Sequence, residues 1–86
     1  MEIQEIQSAV KDYILKEFLP GENPDALSQS TPLITGGILD SLATLKLVSF
    51  LENTYGIIFE AHEVDAEHLD TLAAIANWVL ERKSAP

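Results

Sequence analysis

The 86-residue sequence contains no cysteine, which excludes a disulfide framework, a thiolate nucleophile and a cysteine-ligated metal site. Basic residues are scarce. Five Lys and Arg stand against fourteen Asp and Glu, for a net charge of −9, and none of the five lies between Leu47 and Glu81. A surface of that sign repels phosphate backbones, so no nucleic-acid partner is expected, whereas a basic protein would be attracted and steered. No long apolar run is present, so no membrane span is expected; a span needs about 18 or more such residues. The N-terminal stretch MEIQEIQSAVKDYI lacks the basic start and apolar centre of a signal peptide, and the expectation is a soluble, cytoplasmic chain.

What is present is enough apolar residue, 47% of the chain, to build one small core. Residues 1–86 therefore read as a single domain, with 84–86 as a frayed tail. Ile3, Ile6, Val10, Tyr13/Ile14 and Phe18 recur at helical spacing and predict a first helix over 2–19, ended by Pro20-Gly21. Residues 20–40 hold three prolines and three glycines and read as a long loop. Leu27, Leu33, Ile34, Ile38 and Leu39 are spread through it and predict a loop pinned onto a core. A second helix is expected over 41–55, with Asp40 or Ser41 able to cap its start and Gly56 its end. A short helix near 62–68 follows. A last helix over 71–82 has Asp70 as a plausible N-cap and a core stripe of Leu72, Ile75, Ala76, Val79 and Leu80. Ile57-Ile58-Phe59 has no second strand to pair with. The fold class is all-α: a small four-helix bundle of three longer helices and one short one.

On a helical wheel the second helix sends Ala43, Leu47, Val48, Phe50, Leu51 and Tyr55 toward the core. The opposite arc carries Lys46, Ser49, Glu52 and Asn53, but also Leu42 and Leu45. Two leucines one turn apart on a polar face predict a partner surface made of Leu42, Leu45, Lys46, Ser49 and Glu52.

Ser41, at the mouth of that helix, is the residue whose chemistry is in question. A serine nucleophile needs a neighbouring base, and the only histidines, His62 and His68, lie in the acidic stretch HEVDAEH. No G-x-S-x-G elbow surrounds it. The two histidines are six apart rather than the four of a zinc-protease helix, so HEVDAEH reads as a solvated acidic face and no metal ligands are expected. A hydroxyl at a helix N-terminus, however, suits an attached phosphate, because free N–H groups and the helix dipole favour negative charge there. Asp40 places an acid beside it, of use to an enzyme that modifies the serine.

The run Gly37-Ile38-Leu39-Asp40-Ser41-Leu42 resembles the signature of the acyl and peptidyl carrier proteins, Asp-Ser-Leu at the start of the second helix. The resemblance extends to the helix order, the long first loop, the acidic short helix and the Leu69-Asp70-Thr71-Leu72 entry to the last helix. It implies that Ser41 carries a covalent 4′-phosphopantetheine taken from coenzyme A by a phosphopantetheinyl transferase that recognises Asp40. It also implies that the chain is not itself an enzyme. Such a carrier, expected to be a monomer, holds acyl or aminoacyl groups as thioesters. An acyl or aminoacyl ligase loads them, and acyltransferases or synthases of lipid, polyketide or specialised metabolism use them. Glu52 is the only acid within the second helix, whereas fatty-acid carriers have several, and the Gly-Ile-Leu-Asp-Ser form is also similar to D-alanine and peptidyl carriers. The residues thus read as a specialised stand-alone carrier with dedicated partners. The other reading is a helical protein-binding adaptor that never receives the arm.

Overall fold

The computed structural model describes residues 2–84, Ser84 by its backbone alone. Four α-helices follow one another: α1 Ile3–Phe18, α2 Ser41–Tyr55, α3 Ala66–Leu69 and α4 Leu72–Ser84. Two short 3-10 turns, Pro24–Ala26 and Ala61–Glu63, interrupt the connections. No strand occurs among the described residues, as the all-helical reading requires. α4 extends through Ser84, and residues 85–86 of the expected frayed end lie outside the described residues.

Ile6, Val10 and Ile14, four apart, are fully buried and lay α1 along α4, its main packing partner. Leu47, Leu51, Leu69, Ile75 and Val79 complete the centre. The long loop is pinned as its leucines predict: Leu27, Leu33 and Leu39 are buried, Ile34 and Ile38 half-buried. Each fully buried leucine contributes about 1.5–3 kcal/mol, which favours a fixed path over a free linker.

Four expectations need correction. Asp70 does not cap α4. Thr71 does, its Oγ1 accepting the Ala74 N–H at 3.0 Å, while the Asp70 carboxylate turns back to the long loop. The short helix is split, because Val64 and Asp65 are non-helical and Asp65 caps a new turn through the His68 N–H. The core stripe of α4 includes Trp78, which is buried, whereas Leu80 is only half-buried. The acidic segment is not a purely solvated face. Glu63 pairs with Arg82, and Asp65 Oδ1 lies 2.8 Å from His68 Nδ1. The His68 ring lies 4.4 Å from that of Trp78, which stacks on Phe59 at 4.2 Å. The cations of α4 thus serve its neighbours as well as its own dipole, and Lys83 Nζ donates to the Tyr55 carbonyl at the end of α2.

Two carboxylates are shifted below their ordinary values. Hydrogen bonds from His68 hold Asp65 down, and those from Thr35 and Ile34 hold Asp70 down. Both pKa values are depressed by folding. Their stabilisation is therefore present above the unfolded carboxylate value, about 3.9, and is lost as pH falls through the folded values. The melting temperature should accordingly fall below about pH 4, with the Ile34 and Thr35 amides losing exchange protection first. Melting and amide exchange that stay flat from neutral pH down through that window would contradict this.

Candidate functional site

The site is built on the start of α2. Gly37 turns the chain with a left-handed φ of 84°, and a Cβ on Gly36 would collide with the Pro32 carbonyl, so the sharp approach to the helix requires both glycines. Leu33 and Leu39, both buried, close the turn through the Leu39 N–H to Leu33 carbonyl bond of 2.8 Å. Asp40 follows with extended backbone and is the N-cap, its Oδ1 accepting the Ala43 N–H at 2.8 Å. Of the two residues that could have capped α2, Asp40 does so. Ser41 is then the first helical residue and is exposed.

Two histidines are the only candidate bases for this serine. His62 is exposed in the 3-10 turn, and His68 is engaged with Asp65 and Trp78. Neither hydrogen-bonds to Ser41 among the described residues. The serine hydroxyl is exposed, with no histidine partner among the described residues.

Beside Ser41 lies an open cleft of about 510 Å³ between the start of α2 and α3. Ile34, Leu39, Leu45, Val64 and Ala66 supply its apolar wall, and Asp40, Thr44 and Asp65 its polar rim. Thr44, buried, was not among the core residues read from the wheel. Its hydroxyl donates to the Asp40 carbonyl at 2.8 Å, so a polar side chain is satisfied inside the first turn. The signal for it was present in the sequence, since a threonine four residues after a cap residue commonly bonds back to it. Val64, Asp65 and Ala66 reach the cleft only because the short helix is split there.

The remaining residues of the expected partner surface divide. Leu42 and Leu45 are 62% and 57% exposed, and Lys46 and Ser49 are exposed beside them. A second groove of about 450 Å³ runs from Leu45, Lys46 and Ser49 to Tyr13 and Phe50, whose rings stack at 4.1 Å. Tyr13 Oη donates to the Lys46 carbonyl at 3.2 Å, and burial raises its pKa. Glu52 does not join this surface freely. It is half-buried, and its Oε2 accepts the Phe59 N–H at 3.0 Å, holding the segment that stacks on Trp78.

The described residues thus form a helical bundle with an exposed serine at the first turn of a capped helix, next to an open cleft. A probable acyl carrier protein, PigG, of a Serratia species is 30% identical over 81 residues, covering 94% of this chain and 92% of that protein. The chain belongs to the acyl carrier protein family. A solved structure described as "Crystal structure of FAD-dependent dehydrogenase" holds a chain with the same fold, at a TM-score of 0.73 and 34% identity over 81% of this chain and 97% of that one. No protein-family model matches the sequence.

Proposed function

We propose that Ser41 is the attachment point of a 4′-phosphopantetheine group, and that the chain carries acyl or aminoacyl groups for partner enzymes of specialised metabolism. The observation that carries this reading is the exposed Ser41 hydroxyl at the first position of α2, with Asp40 already serving as the cap. The residues suit the group: an esterified phosphate would lie at the free N–H groups of the first helical turn, and the apolar-walled cleft lies alongside. The bound group would supply the thiol that this cysteine-free chain lacks, and with it thioester chemistry.

In the loading step, Ser41 Oγ attacks the coenzyme A pyrophosphate at the phosphorus nearer the pantetheine. The new Oγ–P bond replaces the P–O bond to the departing 3′-phosphoadenosine phosphate, and the serine proton passes to a base of the transferase. This chain's own part is to present the oxygen and keep Asp40 beside it. Incubating the protein with coenzyme A and a broad-range phosphopantetheinyl transferase should add the mass of one phosphopantetheine. An unchanged mass would reject the proposal and leave the adaptor reading.

Leu42, Leu45 and Lys46 are proposed as the partner surface. Leu45→Asp should lower the kcat/KM of that transferase about tenfold, the cost of one central apolar contact. A rate equal to wild type would remove Leu45 from the surface. The likeness to a chain in a structure described as an FAD-dependent dehydrogenase supports one further partner class. A flavin enzyme of that kind would take two hydrogens from the cargo while this chain holds it.

A further inference from the structure

Asp70 lies outside the serine motif, at the junction of α3 and α4, yet most of its hydrogen bonds go to the loop that leads into that motif. Its Oδ1 accepts the Ile34 N–H at 2.8 Å and the Thr35 N–H at 2.9 Å, and its Oδ2 accepts the Thr35 hydroxyl at 2.8 Å. Its carbonyl accepts the Leu33 N–H at 2.6 Å. Leu33 in turn accepts from Leu39, the residue before Asp40 and Ser41. Between Ile34 and Leu39 stand Thr35, the turn at Gly36-Gly37 and Ile38, with a Gly37 N–H to Ile34 carbonyl bond of 3.1 Å. A single carboxylate therefore fixes one end of a closed turn whose other end, Leu39, directly precedes the N-cap of α2.

We infer that Asp70 is a positioning residue for the modification of Ser41: it sets the path of residues 33–39 and thereby the place at which the serine oxygen meets the transferase. The inference rests on the reading of Ser41 as the attachment point. In-line attack on phosphorus depends on placement of the nucleophile within a fraction of an ångström, and misplacement by about 1 Å costs up to a hundredfold in rate. Ala43 and Thr44 would still be held by Asp40 if the turn loosened, because those bonds are internal to α2. What changes is the orientation of the helix start against the loop and the cleft wall supplied by Ile34 and Leu39.

The test measures phosphopantetheine transfer from coenzyme A to wild type, Asp70→Ala, Asp70→Asn and Thr35→Val, with kcat and KM for the carrier determined separately. Trp78 fluorescence reports that each variant is folded at the assay temperature. Asp70→Ala should lose about tenfold, carried by kcat with little change in KM. Asp70→Asn should recover most of that loss, because its carbonyl oxygen accepts both backbone N–H groups and the Thr35 hydroxyl can turn to accept from its amide. A purely stabilising role would leave kcat untouched in a folded variant. Folded Asp70→Ala with wild-type kcat overturns the inference and leaves the attachment reading standing. Failure of wild type to be modified overturns both. Should Asp70→Ala not fold, Thr35→Val decides: a loss of about threefold supports the inference, and an unchanged rate overturns it.

Discussion

Ser41→Ala should leave an incubation with coenzyme A and transferase at its starting mass, while its melting curve overlays that of wild type. The two halves of this expectation come from different atoms. The only nucleophile the motif presents is Ser41 Oγ, so its removal abolishes modification outright rather than slowing it. The fold is spared because Asp40, not Ser41, accepts the Ala43 N–H, and because Ser41 is exposed in the first turn. Alanine is a good helix former, and an exposed change of this kind stays within about 0.5 kcal/mol. A variant that still gains the group would place the attachment on another residue. A variant that unfolds would show the serine to be structural.

Trp78→Ala should be the most damaging single truncation in the fold. The indole is buried, stacks on Phe59 at 4.2 Å and carries the His68 ring on its other contact at 4.4 Å. It is the point at which α4, the 57–59 segment and α3 meet. Truncating a buried tryptophan costs about 3–5 kcal/mol, and domains of this size have about 5–15 kcal/mol in total. Urea denaturation should therefore show a midpoint far below wild type, with the 57–69 region losing order first. Loss of α3 would open the cleft beside Ser41, whose far wall is Val64, Asp65 and Ala66. A midpoint shift corresponding to less than about 1 kcal/mol would mean that the aromatic stack does not hold these elements together.

How much of this was legible in the sequence follows from the range of each interaction. The second helix could be read to the residue, because its signals are local: an aspartate cap at one end, a glycine with φ of 67° at the other, and a 3.6-residue period between. Leu42 and Leu45 stood out for the same reason, as apolar side chains on the wrong arc. The role of Asp70 was hidden because its partners, Ile34 and Thr35, lie 36 and 35 positions away, and an aspartate before a helix looks locally like a cap. Thr71, one residue later, satisfies the same pattern and takes the role. Trp78 was missed because the wheel of one helix shows a single stripe, whereas α4 is packed by α1 on one side and by α3 on another. Glu52 looked like a surface acid until the chain after Gly56 returned Phe59 to it. The motif Asp40-Ser41-Leu42 and the acyl carrier family could be read early. The cleft could not, since its far wall, Val64, Asp65 and Ala66, comes from a segment broken by the extended backbone of Asp65.

These corrections bear on partner choice. The exposed arc of α2 presents Leu42, Leu45, Lys46 and Ser49 on a molecule of net charge −9, and its one internal acid, Glu52, is bonded to the backbone. A partner that docks there meets apolar contacts and a single cation, not a row of carboxylates. If Leu42, Leu45 and Lys46 form the proposed partner surface, an enzyme with an apolar recess and an acid opposite Lys46 would fit it better than one that relies on a basic patch.

The most direct test of the attachment proposal is the intact and peptide mass of the native protein isolated from its own cells. The account predicts a phosphopantetheine, with or without a thioester-linked acyl or aminoacyl group, on the peptide containing Ser41 and on no other. A native chain that is wholly unmodified, or modified at any other residue, would contradict it.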